Sequence, residues 1–239
     1  MRSWFDRLFG GKPETRAGSV SEKPLTQELP TEAFTGARQA SREILGLAMA
    51  ALKDERGIHL ESLFCALGAL AGRACQDSIR ARALSEGKPA DAYFTVATTT
   101  DGHKYYFGDA LNQPLAEDRV SVWSLVAGAA AHDGAKQLPD LDEIFKHNAA
   151  VLGGEQFGVP RLPPEHPVQA LPLDYARKLW PDTRKVLAEF AGEPRMWPVA
   201  IGLAVQELMA QTRGQVPPAL VARIVMESAI PVSKVPIES

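Results

Sequence analysis

His59 to Leu84 reads HLESLFCALGALAGRACQDSIRARAL, and the fold turns on how this stretch is read. From Leu63 to Gly72 it carries no charged or strongly polar side chain. Leu60, Leu63, Leu67, Leu70 and Ala74 recur at steps of three and four, which is one face of an α-helix. Cys65, Ala66, Gly68, Ala69 and Gly72 put small residues on the other faces instead of polar ones. A helix without a polar face is enclosed by neighbours on several sides. The stretch therefore predicts a buried central helix over 59–84. Gly68 and Gly72 lie one turn apart, and each costs about 1 kcal/mol relative to alanine inside a helix. An interior helix glycine usually has a packing reason. The pair predicts a shallow groove crossed closely by another helix, and a ligand groove is the alternative.

Composition bounds what surrounds that helix. The chain has 239 residues, 45% hydrophobic and 23% charged. That is ordinary for a globular protein able to build its core without disulfides or metals. The formal net charge is −3, so no global basic field exists to hold a polyanion, and nucleic acid is not an expected partner. Cys65 and Cys75 sit ten residues apart on the central helix, roughly 15 Å, beyond disulfide reach. They read as buried thiols of a reducing compartment. No apolar run approaches the roughly 18 residues of a transmembrane helix, and the N-terminus lacks the pattern of a secretory signal. The expectation is a cytoplasmic protein of bacterial type, peripheral at the inner membrane face if its N-terminus binds lipid.

Three regions follow along the chain. Residues 1–12, MRSWFDRLFGGK, place Trp4, Phe5, Leu8 and Phe9 on one helical stripe beside Arg2, Arg7 and Lys12. Such a segment suits a membrane surface, a partner groove or its own domain. Residues 13–31 have the composition of a flexible linker. Residues 32–239 form a single α-rich domain.

Within that domain, 34–56 is an amphipathic helix ended by Gly57 and forming an αα-hairpin with the central helix. Asp101-Gly102 then marks a two-residue hairpin turn within about 93–108. It would pair Thr98 with Tyr105 and Val96 with Phe107, giving Phe94, Val96, Thr98, Tyr105 and Phe107 one inward face. A helix over 117–131 follows. The next is opened by Asp140 with Glu143 in a capping box and closed at Gly153-Gly154. The proline-rich connection 155–171 (Pro160, Pro163, Pro164, Pro167) reads as a strap across the surface. Further helices span 174–180, a stretch beginning at Pro181, 197–213, and 218–230 ended by Pro231. The predicted fold is mainly α, about eight helices arrayed around 59–84 with one inserted β-hairpin.

Chemistry is sparse. His132-Asp133, at a helix end, resembles the metal-binding dipeptide of HD-type hydrolases, with His59, Asp174 and Asp182 needed to complete a site. A histidine near a helix C-terminus is also favourable by itself. No HExxH, CxxC, P-loop, GxGxxG or GxSxG pattern is present, and no cofactor or metal is expected. The leading reading is a non-catalytic binding or scaffold module recruited through residues 1–12. The alternative is a metal-dependent hydrolase using His132 and Asp133.

Overall fold

Ser62 to Gln76 is buried without interruption in the central helix. The computed structural model describes residues 31–99 and 102–236. Seven helices of ten or more residues appear among them: α1 (Thr31–Leu52), α2 (Leu60–Ser85), α3 (Val122–His132), α4 (Leu141–Ala150), α5 (Pro172–Val186), α6 (Trp197–Gln211) and α7 (Pro218–Lys234). One antiparallel hairpin, β1 (Thr95–Thr98) with β2 (Lys104–Phe107), is inserted after α2. The protein is mainly α with one small hairpin. Residues 1–12, with Trp4, Phe5, Leu8 and Phe9, and linker residues 13–30 lie outside the described residues. Thr31, assigned to the linker by composition, opens α1.

Helix α2 is the central element, flanked by α5, α6 and α7. Its apolar residues fill the core, and its N-terminus is capped by His59, whose ring accepts the Ser62 N–H. Gly68 and Gly72 face α7 at backbone distance. A Cβ on Gly68 would lie 2.6 Å from the Val225 carbonyl oxygen, and one on Gly72 would lie 2.2 Å from that of Ala229. Only hydrogen fits between these two helices. Helix α1 packs chiefly on α6 and on the π-wound turn Leu187–Ala191, with less contact to α2 than a helical hairpin would give. It ends at Leu52, before the tight turn in which Asp54 and Gly57 exchange backbone hydrogen bonds.

Two prolines do not stop helices as the sequence suggests. Helix α5 runs through Pro181, and α7 continues past Pro231 to Lys234. Each proline forfeits one backbone hydrogen bond. In compensation, buried Leu179, Trp180 and Thr183 flank the first, and buried Val232, Ser233 and Lys234 follow the second. Tertiary burial overrides local preference there. The predicted helix over 117–131 starts later, at Val122, because Ser121 and Ser124 form a capping box; Glu117 belongs to a preceding π-turn, Gln113–Glu117.

The hairpin register differs by one residue from the expected one. Thr95 pairs with Phe107, Val96 with Tyr106 and Ala97 with Tyr105. Thr99 N–H donates to His103 O and Gly102 N–H to Thr99 O, both at 2.9 Å, so three residues separate Thr99 from His103. Gly102 takes the left-handed position of such a loop, at φ +87°. One extra loop residue slips the register and reverses which side chains share a face. Val96 and Phe107 consequently lie on opposite faces, and Val96 is 43% exposed. Tyr105, Tyr106 and Phe107 are all buried, so β2 is covered on both sides. Space around Gly102 is open. Gly102→Ala is expected to cost about 1 kcal/mol from positive φ alone, read as a lower urea midpoint with an unchanged slope.

Candidate functional site: strap and groove

Functional side chains gather along the connection 155–171, which crosses the helices without helix or strand of its own. Leu162, Val168 and Ala170 pack partly on the core, and polar residues pin the strap at two points.

At the first point, Arg161 reaches two carboxylates. Its Nη1 pairs with Glu143 Oε1, and its Nη2 lies 3.1 Å from Glu143 Oε2 and 2.7 Å from Glu227 Oε1. Arg223, one turn before Glu227 on α7, adds a 3.4 Å contact to the same oxygen. Glu227 is only 2% exposed. Burial pushes its carboxyl up, while Arg161 and then Arg223 hold it down. Glu143 is more exposed, and hydrogen bonding from Arg161 draws its carboxyl below the usual range. This explains the half-formed cap of α4. Asp140 accepts the Glu143 N–H at 3.2 Å, while the Glu143 carboxylate is committed to Arg161.

At the second point the strap meets the start of α2. His166 Nδ1 is 2.7 Å from Glu61 Oε1, and Gln169 N–H donates to Ser62 Oγ at 2.9 Å. The Tyr175 hydroxyl of α5 also bonds Ser62. His59 Nδ1 lies 3.0 Å from Ser62 Oγ and accepts Ser62 N–H at 3.3 Å, while its Nε2 is 3.7 Å from Glu61 Oε2. Although burial raises the Glu61 carboxyl, the His166 hydrogen bond and the smaller lowering contributions together bring it below its ordinary value. Hydroxyl, imidazole and carboxylate thus stand in the order of a nucleophile triad, but the imidazole–carboxylate distance of 3.7 Å is too long for a hydrogen bond. Ser62, moreover, is 1% exposed and its hydroxyl is covered by the strap's Gln169. The group works as a helix cap that doubles as an anchor.

Between residues 137–140 leading into α4, the strap and the start of α7 opens a groove of about 580 Å³, lined by Leu138, Pro139, Arg161, Pro163, Leu220 and Arg223 among others. Its walls combine apolar side chains with two arginines, and the first turn of α7, uncapped by any side chain, forms one edge.

The sequence-derived candidates lie elsewhere. His132 is the exposed last residue of α3, and Asp133 is held by Arg213, whose Nη2 is 2.7 Å from Asp133 Oδ1. His59 is engaged at the α2 cap, while Asp174 and Asp182 pair with Arg177 and Lys185 on their own helix. The structure does not bring these five together. Among the described residues, no group of three or more His, Cys, Asp or Glu side chains has the arrangement to hold a metal ion. Burial pushes the Cys65 thiol up to about 12 and raises Cys75 as well, so both stay protonated and unreactive.

Sequence reasoning missed the buried charges. Arg73, 2% exposed, pairs with Asp77 at 3.0 Å, bonds Gln76 and lies over the Trp180 ring. Lys234 is 3% exposed; its ammonium has Asn112 Oδ1 at 3.3 Å and the rings of Phe107 and Phe145 at 5.4 and 5.7 Å. Burial pushes it down to about 8. The cavity beside it, about 10 Å³ between Phe107, Phe145, Asn148 and Phe157, has room for one water molecule and no substrate. The one signal for Lys234 was its position after Pro231-Val232-Ser233, in a stretch read as lying beyond the last helix.

No family model matches the chain, and neither a curated protein nor a solved structure matches it, so function has to be argued from the geometry.

Proposed function

We propose that the protein is a non-catalytic binding module, recruited by its N-terminal amphipathic segment and carrying a partner-binding groove on its helical body. The observation that carries this reading is the open groove of about 580 Å³ between residues 137–140, the strap and the start of α7. Its mixed lining of leucine, proline and arginine suits an extended or helical segment of another protein. The amphipathic pattern of residues 1–12 adds a second, separate point of attachment. Trp4, Phe5, Leu8 and Phe9 supply its apolar stripe, and Arg2, Arg7 and Lys12 its basic flank. No helix among the described residues is long and apolar enough to cross a membrane, so any membrane contact of this part would be peripheral.

Each of those four side chains yields about 1.5 to 3 kcal/mol on full burial, and ordering the segment consumes much of it. Binding through residues 1–12 is therefore weak and reversible. The full chain is expected to co-sediment with anionic vesicles and to lose that property when it begins at Thr31, with attraction falling as salt rises. Equal sedimentation of the two chains would remove the membrane form of recruitment and leave a protein partner.

A further inference from the structure

The strap is irregular from end to end, yet it is anchored to carboxylates at two points, by an arginine ion pair at one and a histidine hydrogen bond at the other. Arg161 is held by Glu143 and Glu227, and His166 by Glu61. Pro163, two residues beyond Arg161, belongs to the groove wall, as does Arg161 itself. We infer that residues 155–171 form an electrostatic latch that opens as a unit, ahead of the helical body, and so controls the width of the groove.

The energetics are those of a segment without backbone ladders of its own. Opening breaks the two carboxylate anchors, the Gln169–Ser62 hydrogen bond and partial burial of Leu162, Val168 and Ala170. It leaves α2 and α7, which meet through backbone and apolar side chains, untouched. Local openings of this kind occur at free energies below that of global unfolding.

The charges set the direction of control. Glu61 faces His166 from the strap and His59 from its own helix, with Tyr175 of α5 beyond Ser62. Glu143 and Glu227 face Arg161 from the strap, Arg223 from α7 and His147 from α4. Closure lowers the Glu61 and Glu143 carboxyls, so for these two it releases protons and acid favours the open strap, whereas Glu227, raised by burial despite Arg161, pulls the other way. The Glu61 and Glu143 contributions are present above the ordinary carboxylate range and are lost as pH falls through it. The latch therefore opens as pH falls through and below the ordinary carboxylate range, at roughly pH 4.5 and lower. Salt opens it as well, by screening the exposed Arg161–Glu143 contact first.

This rests on the groove being the binding face only for its biological meaning; the latch is measured without a partner. Trypsin cleaves after Arg161 once the strap leaves the surface, whereas a cut after buried Arg73 reports unfolding of the body. In the full chain at about pH 7.5 and low salt, E61Q/E143Q removes one hold at each anchor. Cleavage at Arg161 should then be about tenfold faster than in the wild type, the combined effect of one weakened ion pair and one weakened hydrogen bond. Cleavage after Arg73 should stay slow and the melting temperature close to wild type. Hydrogen exchange of 155–171 relative to 62–76, corrected for its intrinsic pH dependence, should stay level down to about pH 5 and rise from there to about pH 3.5. Unchanged cleavage at Arg161, cuts at Arg161 and Arg73 advancing together, or flat relative exchange would each overturn the latch. None of these outcomes bears on vesicle binding, so the latch and the recruitment by residues 1–12 fail separately.

Discussion

Gly72→Leu lowers the melting temperature by roughly 6 to 12 °C, about 3 kcal/mol, in a chain of this size. The reason is what the new side chain meets. A Cβ at Gly72 would lie 2.2 Å from the Ala229 carbonyl oxygen, 2.9 Å from its carbonyl carbon and 3.0 Å from its Cα. Backbone cannot rotate aside as a side chain can, so α2 and α7 must separate, and the apolar contacts along both helices loosen with them. Even Gly72→Ala should destabilise, although alanine favours the helix by about 1 kcal/mol. Gly46 supplies the control. It lies on the exposed face of α1, with nothing within 4 Å of its added Cβ. Gly46→Ala should therefore gain the helix preference without a clash and raise the melting temperature by about 2 to 4 °C. A Gly72→Leu chain that melts with the wild type would mean that the two helices do not approach as described.

Lys234→Met stabilises the protein at neutral pH and abolishes a rise in stability on the alkaline side. Among the described residues the ammonium of Lys234 hydrogen-bonds Asn112, lies near the Phe107 and Phe145 rings and is attracted by Glu117. Burial lowers it from 10.5 to about 8. The sign follows from proton counting. Between about pH 8 and 10.5 the unfolded chain keeps the proton that the folded chain has released, so wild-type stability rises through that window. The rise is on the order of 3 kcal/mol, and the same amount is forfeited below pH 8, where the buried amine is charged. Methionine fills similar space without the charge. Denaturant titrations of both chains near pH 7 and pH 10 isolate the effect, because every other group titrates in both. The variant should be more stable at pH 7, with the difference shrinking at pH 10. A constant difference would show that Lys234 keeps its ordinary protonation behaviour.

How well the sequence could be read depended on the range of the interaction that decides each feature. The central helix was legible to within a residue at each end, because the steps of Leu60, Leu63, Leu67 and Leu70 and the absence of polar residues are local signals. Asp140 at the start of α4 was legible for the same reason. Pro181 and Pro231 misled, because their local penalty is offset by burial of neighbours that only the assembled core supplies. The hairpin was placed correctly, but its register turned on one loop residue. The strap's anchors were hidden altogether: Arg161 finds Glu227 across 66 positions, and His166 finds Glu61 across 105. Residue spacing in a sequence says nothing about such pairs.

The contact of α2 with α7 has a further consequence in time. About 130 residues separate the end of α2 from the start of α7. At ordinary rates of protein synthesis they take on the order of 10 s to emerge. Throughout that interval the glycine-lined face of the central helix has no backbone to lie against. Its Leu, Ala and Cys side chains are open to any other sticky surface, including the same stretch on a neighbouring nascent chain. Contacts so distant along the chain also slow the final docking step, since the loop between them must first be closed. A holding chaperone that recognises short apolar runs would find its binding site between Leu63 and Gly72, and would lose it when residues 218–234 arrive.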